Sequence, residues 1–556
     1  MTADSLDDSL PPLDVTRFRD GYPSESVVSQ VHHLLQDAEK MISECGADPS
    51  TKARTRRINR RIQAYRAYIS PNRRVPVEIW TQIFQTSISP LSSPGLTVNE
   101  DGILLTPTLN LTHVCATWRA VVISMPGLWS NLDLVLENDP ETDSRLANTV
   151  PIYLQRSQTS PLRFKLNAVR EPGDDDDDDD EVEIGPAGWG VFKRLLEVSD
   201  RWLAVELNMA WSIANHSNLG NILKAFQDNQ CNILQSLSID FGGTHEFDES
   251  EESPRLFELF ARAPQFKSLR LEEFDPSFAL PFSQLRELTV DSIFGEQIML
   301  PFEMCHNLLK LDITVESLED YHIYSGFFEE CMPVLSSLRC SLFSCVSNAH
   351  PIFPCLSLPA LRHLELSADY SYGVEACQAL SYNLKDLILR SSCQLSTLKL
   401  AIFGLSDQDI IQILLQTPQL AHLELGALHS RGFTTSLFQH LSLHSNQPGN
   451  GLLVLRLTSL LIWIDNRCCQ DLEDLLPDPK VILAMVQSRR NPEIEGLTSF
   501  GFHVFRHSAS AISSRFKDWV SSFSRVAEPG LSALAEGGLE LELDLTSECS
   551  AVRFNS

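Results

Sequence analysis

Beyond residue 200 a six-residue phrase keeps returning: an apolar residue, two of any kind, then apolar-x-apolar. It stands at Leu234/Leu237/Ile239, Phe266/Leu269/Leu271, Leu285/Leu288/Val290, Leu308/Leu311/Ile313, Leu335/Leu338/Cys340, Leu361/Leu364/Leu366, Leu395/Leu398/Leu400, Leu420/Leu423/Leu425, Leu452/Leu455/Leu457 and Leu497/Phe500/Phe502. First positions lie 19 to 45 residues apart. The apolar-x-apolar pair has the alternation of a strand with one buried face. Between such pairs, residues 254–263 and 407–416 carry apolar side chains at i, i+3 and i+4, which predicts helices, with Asp407 as a cap. A further match, Leu384/Leu387/Leu389, falls 11 residues before Leu395, too close for a complete unit. Because Leu384, Leu387 and Ile388 also fit helical spacing, it is assigned to a helix. Strict alternation over residues 539–545 predicts a last strand.

One strand and one helix cannot bury both apolar faces, so neighbouring units must share a core. The intervals bracket the leucine-rich-repeat period. The expected fold is therefore α/β, a small N-terminal helical module followed by an irregular leucine-rich-repeat solenoid over residues 201–556. The positions between the apolar ones are the candidate target contacts: Glu272, Arg286, Lys310, His363, Glu365, Lys399, His422 and Arg456. Their alternative reading is a solvated strand face.

The N-terminal third has helical periodicity. Residues 1–24 are rich in Asp, Ser and Pro and read as a disordered tail. Over residues 25–70, Val27, Val31, Leu34 and Leu35, then Ile58, Ile62, Tyr65 and Ile69, recur at helical spacing. The stretch 46–50 separates the two predicted helices. Arg56, Arg57, Arg60, Arg61 and Arg66 fill the remaining face of the second. That basic cluster reads as a nuclear-import signal, a patch for an acidic partner, or a solvated face balancing an acidic protein. Pro76 opens the next helix, with Val77, Trp80, Ile83 and Phe84 as one apolar face. After a Ser/Pro/Gly-rich excursion over residues 87–108, Leu111, Val114, Cys115, Trp118, Val121 and Val122 continue a helical stripe. Residues 136–200 read as a linker with the first elements of the solenoid, including an acidic loop over 174–183.

Charge narrows the partners. Forty-four Lys and Arg stand against 73 Asp and Glu, a net charge of −29, which repels nucleic acid and anionic membrane from the average surface. Asp174 to Asp180 is an unbroken aspartate run. It lacks the alternation of a calcium loop and reads as solvated chain. The thirteen cysteines are scattered without a CxxC pair, and no secretory signal opens the chain, so they read as reduced thiols, with no metal site, in an intracellular protein of the cytoplasm or nucleus. The longest uncharged apolar patch, Leu460 to Ile464, is far shorter than a membrane span. Phosphate-loop, dinucleotide, zinc-protease and serine-hydrolase motifs are missing, and no catalytic residue or cofactor is assigned.

Residues 73–84 and 111–129 together resemble an F-box, in the F-box-like form of mushroom-forming fungi. That form has a Leu-Pro-x-Glu-Ile-Leu-x-x-Ile-Phe opening, a variable loop, Val-Cys-x-x-Trp-Arg, and a Pro-x-Leu-Trp ending. Here Val75 stands where Leu is usual, Trp80 replaces a Leu, and the loop is long. The resemblance places the F-box-like domain at residues 71–135 and implies docking on a Skp-type adaptor bound to a cullin scaffold. The implied contacts are Val75, Pro76, Ile79, Trp80, Ile83, Phe84, Val114 and Trp118. An alternative is that Trp118, Trp129, Ile83 and Phe84 make only the module's own core. The implied function is a non-catalytic substrate receptor of an SCF-type ubiquitin ligase. The competing function is a leucine-rich interaction scaffold with a degenerate F-box.

Overall fold

The computed structural model describes residues 23–44, 52–88, 94–99, 102–136, 140–168, 184–225, 231–242, 256–294, 297–317, 330–342, 352–368, 374–402, 405–428, 433–443, 453–466, 476–490, 496–506 and 514–545. The acidic loop at 174–183 and the tail up to residue 22 lie outside the described residues. The chain forms two compact units, residues 1–133 with 149–160, and residues 134–148 with 161–556.

In the first unit α1 (Glu25–Glu44) and α2 (Lys52–Tyr68) share a core. Val31, Leu35 and Ala38 meet Ile58, Ile62, Tyr65 and Tyr68, residues three or four apart that fall on one side of each helix. A short turn of 3-10 helix, Pro71–Arg74, leads into α3 (Val77–Ser87). Next come the antiparallel strands β1 (Thr97–Val98) and β2 (Leu104–Leu105), then α4 (Pro107–Val114) and α5 (Ala116–Ile123). The module is therefore not purely helical. The single stripe expected through Leu111 and Val122 is also broken. Cys115 is extended (φ −157°, ψ 169°), and its Sγ accepts the Trp118 N–H at 3.4 Å as the cap of α5. Across the break Arg119 Nε donates to the Thr112 carbonyl at 2.8 Å. Periodicity marks which residues are apolar but is blind to a side chain that competes for the backbone N–H of the next turn.

The second unit is built on one sheet of 14 parallel strands in chain order. They are β3 (Asn131–Val135, of which Leu134 and Val135 belong here), β4 (Leu162–Ala168), β5 (Trp202–Met209), β6 (Ser236–Asp240), β7 (Ser268–Glu273), β8 (Glu287–Phe294), β9 (Lys310–Ser317), β11 (Ser337–Leu342), β13 (His363–Ala368), β14 (Thr397–Ile402), β15 (His422–Leu428), β16 (Ser459–Asn466), β17 (Ser499–Arg506) and β18 (Glu540–Asp544). A separate parallel ribbon pairs β10 (Glu330–Cys331) with β12 (Leu356–Ser357).

This sheet corrects the expected leucine-rich-repeat solenoid. The strands form one open parallel layer that does not close, and among the described residues no uniform strand-plus-helix unit recurs along it. The returning chain ranges from a three-residue turn, Phe282–Gln284, to the 18-residue helix Val374–Ser391. Recurrence of the apolar pair reports strand positions; it carries no information about what fills the intervals.

Register is unbroken from β11 to β18, whereas it shifts once between β4 and β5 and again near the end of the β8–β9 pair. Leu338, Leu364, Leu398, Leu423, Leu460, Phe500 and Leu541 face one another in sequence. From β6 to β16 one carbonyl ahead of each strand accepts two N–H groups from the next. Arg286 serves Leu309 and Lys310, Leu309 serves Ser336 and Ser337, and Ser396 serves Ala421 and His422. The alignment shows that the ninth phrase was misplaced by five residues. Leu455 is exposed, and the inward pair of β16 is Leu460/Ile462.

Candidate functional site

Two surfaces, one in each unit, carry the residues the sequence singled out. In the first unit α3 is apolar on two sides. Trp80 (8% exposed) and Phe84 (1% exposed) turn inward. Their ring centroids lie 4.7 Å and 5.0 Å from that of Trp118, and Trp80 and Phe84 stack at 5.6 Å. This aromatic trio is the module's own core, so Trp80 and Phe84 are not surface anchors. Trp129 is likewise interior; its Nε1 donates to the Val122 carbonyl at 2.9 Å, and Tyr153 meets its ring edge-on at 5.0 Å. Burial raises the Tyr153 phenol above its ordinary range, and its hydroxyl donates to the Gly95 carbonyl at 2.8 Å.

The other side of α3 is uncovered. Ile79 (43% exposed) and Ile83 (42% exposed) stand one turn apart, with Val77 (51% exposed) at the helix start. Pro76 is exposed and occupies the N-cap, its carbonyl accepting the N–H groups of Ile79 and Trp80. Val75 is half-buried, as is Trp118, while Val114 is exposed. The single face of Val77, Trp80, Ile83 and Phe84 expected from periodicity is thus two stripes.

In the second unit the outward side chains of the sheet form a charge ladder. The register that aligns the buried leucines also aligns Asp312, Arg339, Glu365, Lys399 and Glu424. Arg339 lies 3.6 Å from Asp312 and 3.2 Å from Glu365. Lys399 lies 3.8 Å from Glu365 and 3.2 Å from Glu424. Glu424 in turn accepts from Trp463 Nε1 at 3.3 Å. The indole lies against Gly426, where an added Cβ would come within 2.3 Å of the ring, so the close approach requires glycine. Burial raises the Asp312 carboxyl above its ordinary range, opposed by Arg339 and Lys310. Partly exposed pairs of this kind contribute on the order of 0.2–1 kcal/mol each, so the ladder sets surface pattern more than stability.

The structure brings Glu365 and Lys399 together in this ladder. Lys310, His363 and His422 share a second row at the strand starts, with His363 Nδ1 3.1 Å from Thr397 Oγ1. Arg286 is exposed just ahead of β8. Glu272 is half-buried, and its carboxylate accepts the Phe241 N–H at 2.8 Å. Arg456 sits in an exposed turn before β16, off the sheet face, a consequence of the displaced ninth phrase. Sequence reasoning missed Asp312, Arg339, Glu424 and Trp463. A signal for the first three was present, since each is the middle residue of an aligned apolar-x-apolar pair and their signs alternate.

No family model matches the chain, and no curated protein matches its sequence. A cavity of about 480 Å³ in the second unit is lined by Ile184, Pro186, Trp189, Lys193, Asn218 and Ile222 among others, with Lys193 the one ionisable side chain among the described lining residues. Among the described residues no helix is long and apolar enough to cross a membrane.

Proposed function

We propose that this chain is a non-catalytic substrate-recognition subunit of a cullin-type ubiquitin ligase, its F-box-like module docking on a Skp-type adaptor and its sheet holding a target protein. The supporting observation is the two-sidedness of α3. Trp80 and Phe84 lock the helix to Trp118, while Ile79 and Ile83 stay partly exposed at the surface. Such a stripe suits helix-in-groove recognition, in which apolar anchors dominate affinity. The outward charge ladder supplies patterned polar contacts for a second protein, the kind that fixes specificity more than affinity. Transfer chemistry belongs to other subunits, and this chain contributes proximity, which makes attack by a target lysine effectively intramolecular.

Co-expression with a Skp-type adaptor tests the reading. Wild type is expected to retain the adaptor through size exclusion, and Ile79→Asp/Ile83→Asp to lower recovery by about tenfold or more, since each anchor is worth on the order of 2 kcal/mol. Equal recovery from both proteins, or none from wild type, overturns the reading in favour of an interaction scaffold that engages no ligase.

A further inference from the structure

The strongest charge anomaly is the solvent face of α2. Between Asp48 and Glu78 there is no acidic residue, yet this stretch holds nine of the chain's 44 Lys and Arg: Lys52, Arg54, Arg56, Arg57, Arg60, Arg61, Arg66, Arg73 and Arg74. The protein as a whole carries −29. Packing fixes which way the helix faces, because Ile58, Ile62, Tyr65 and Tyr68 are buried against α1 and turn the arginines outward. Arg56, Arg57, Arg60 and Arg66 are exposed. Among the described residues Arg56 and Arg60 have no ion-pair partner. Arg66 holds Glu39 at 2.6 Å, with both side chains more than half exposed.

We propose that this face of α2 is a docking surface for a carboxylate-rich protein segment, separate from the apolar stripe of α3. Arg56 and Arg60 are one helical turn apart, about 6 Å along the axis. An extended chain with an acid at every second residue presents carboxylates about 6.6 Å apart, a near match in spacing. Arginine predominates, and the planar guanidinium pairs with carboxylate through two parallel hydrogen bonds where lysine offers a point charge.

Other anions fit less well. The two tyrosines of α2 are both buried, so the face has no aromatic platform for unstacked bases. A duplex would also extend its phosphates over the rest of an acidic protein. Among the described side chains of the helix Asn59, Gln63 and Ala67 are the other exposed ones, and none of these is a large apolar group that could enter a membrane interface. A short acidic peptide needs only the patch itself.

The test uses the full chain and a fluorescein-labelled poly-glutamate peptide, read by anisotropy. Binding is expected at low salt and should weaken steadily as sodium chloride rises. Arg56→Gln/Arg60→Gln/Arg66→Gln should weaken it by about tenfold or more, and the charge-retaining Lys triple by only about threefold. Removing cations elsewhere, in Lys193→Gln/Arg194→Gln, should leave it unchanged. The proposal fails if wild type does not bind, if the Gln triple binds as wild type does, or if the Lys triple loses as much as the Gln triple. It also fails if a uridine-rich RNA or phosphatidylserine vesicles bind more tightly than the peptide through these same arginines.

Discussion

Arg489 follows the helix Pro479–Ser488 and is 3% exposed. Its guanidinium donates to the carbonyls of Leu441 at 2.6 Å, Val454 at 3.0 Å and Leu453 at 2.9 Å. Burial pushes it down to about 10, which still leaves it charged at neutral pH. One side chain thereby satisfies three carbonyls, among them that of Val454, a β-branched residue held at φ 42°. Arg489→Met keeps much of the volume but strips this donor from the Leu441 and Leu453 carbonyls, while that of Val454 keeps only the Leu457 N–H. Chemical denaturation should report a loss of about 3 kcal/mol, with Arg489→Lys recovering part of it. Arg390, near the end of the helix Val374–Ser391, does a similar task, reaching the carbonyls of Phe353 and Leu356. Neither role was legible in the sequence, because the carbonyls each guanidinium meets lie 34 to 48 positions away. A hydroxyl signal was available and went unread. Ser336, Ser396, Thr458 and Thr498 each donate to the carbonyl that sets the next strand's register, and each stands two residues before an inward Leu or Phe. That Ser/Thr would have placed β16 correctly.

At the scale of elements, α3 shows how far periodicity reaches. The pattern gave its existence and the apolar identity of Val77, Ile79, Trp80, Ile83 and Phe84. It did not say which of these the module covers, because that depends on where Trp118 is delivered, and the break at Cys115 sets its delivery. The division makes a stability prediction independent of any partner. Phe84→Ala removes a member of a packed trio and should destabilise the first unit by about 3–5 kcal/mol. Ile83→Ser, on the exposed stripe, should stay within about 0.5 kcal/mol of wild type. Thermal unfolding of the two variants separates them; equal losses would mean Ile83 is not a surface residue.

For the whole molecule, the sheet's energetics follow from its order. A central strand shares its inward leucines with two neighbours, whereas β18 has one neighbour in the sheet. Leu400 is buried, while Leu543 of β18 is half-exposed. Leu400→Ala should therefore cost about 2–5 kcal/mol and Leu543→Ala less than about 1 kcal/mol, and amide exchange should be fastest in β18. The chain's own pattern determined that strands recur, where nine of the ten phrases fall, which side of α2 is basic, and that net charge is strongly negative. Each of these is a local property, written in alternation, helical spacing or composition. Tertiary structure alone decided that the strands make one open parallel sheet. It also decided that alternating charges become a ladder, and that three of α3's five apolar residues, Val77, Ile79 and Ile83, stay at the surface. Those outcomes depend on which residues meet across intervals of 19 to 45 positions, and such meetings are settled by packing and register, which no window along the chain contains.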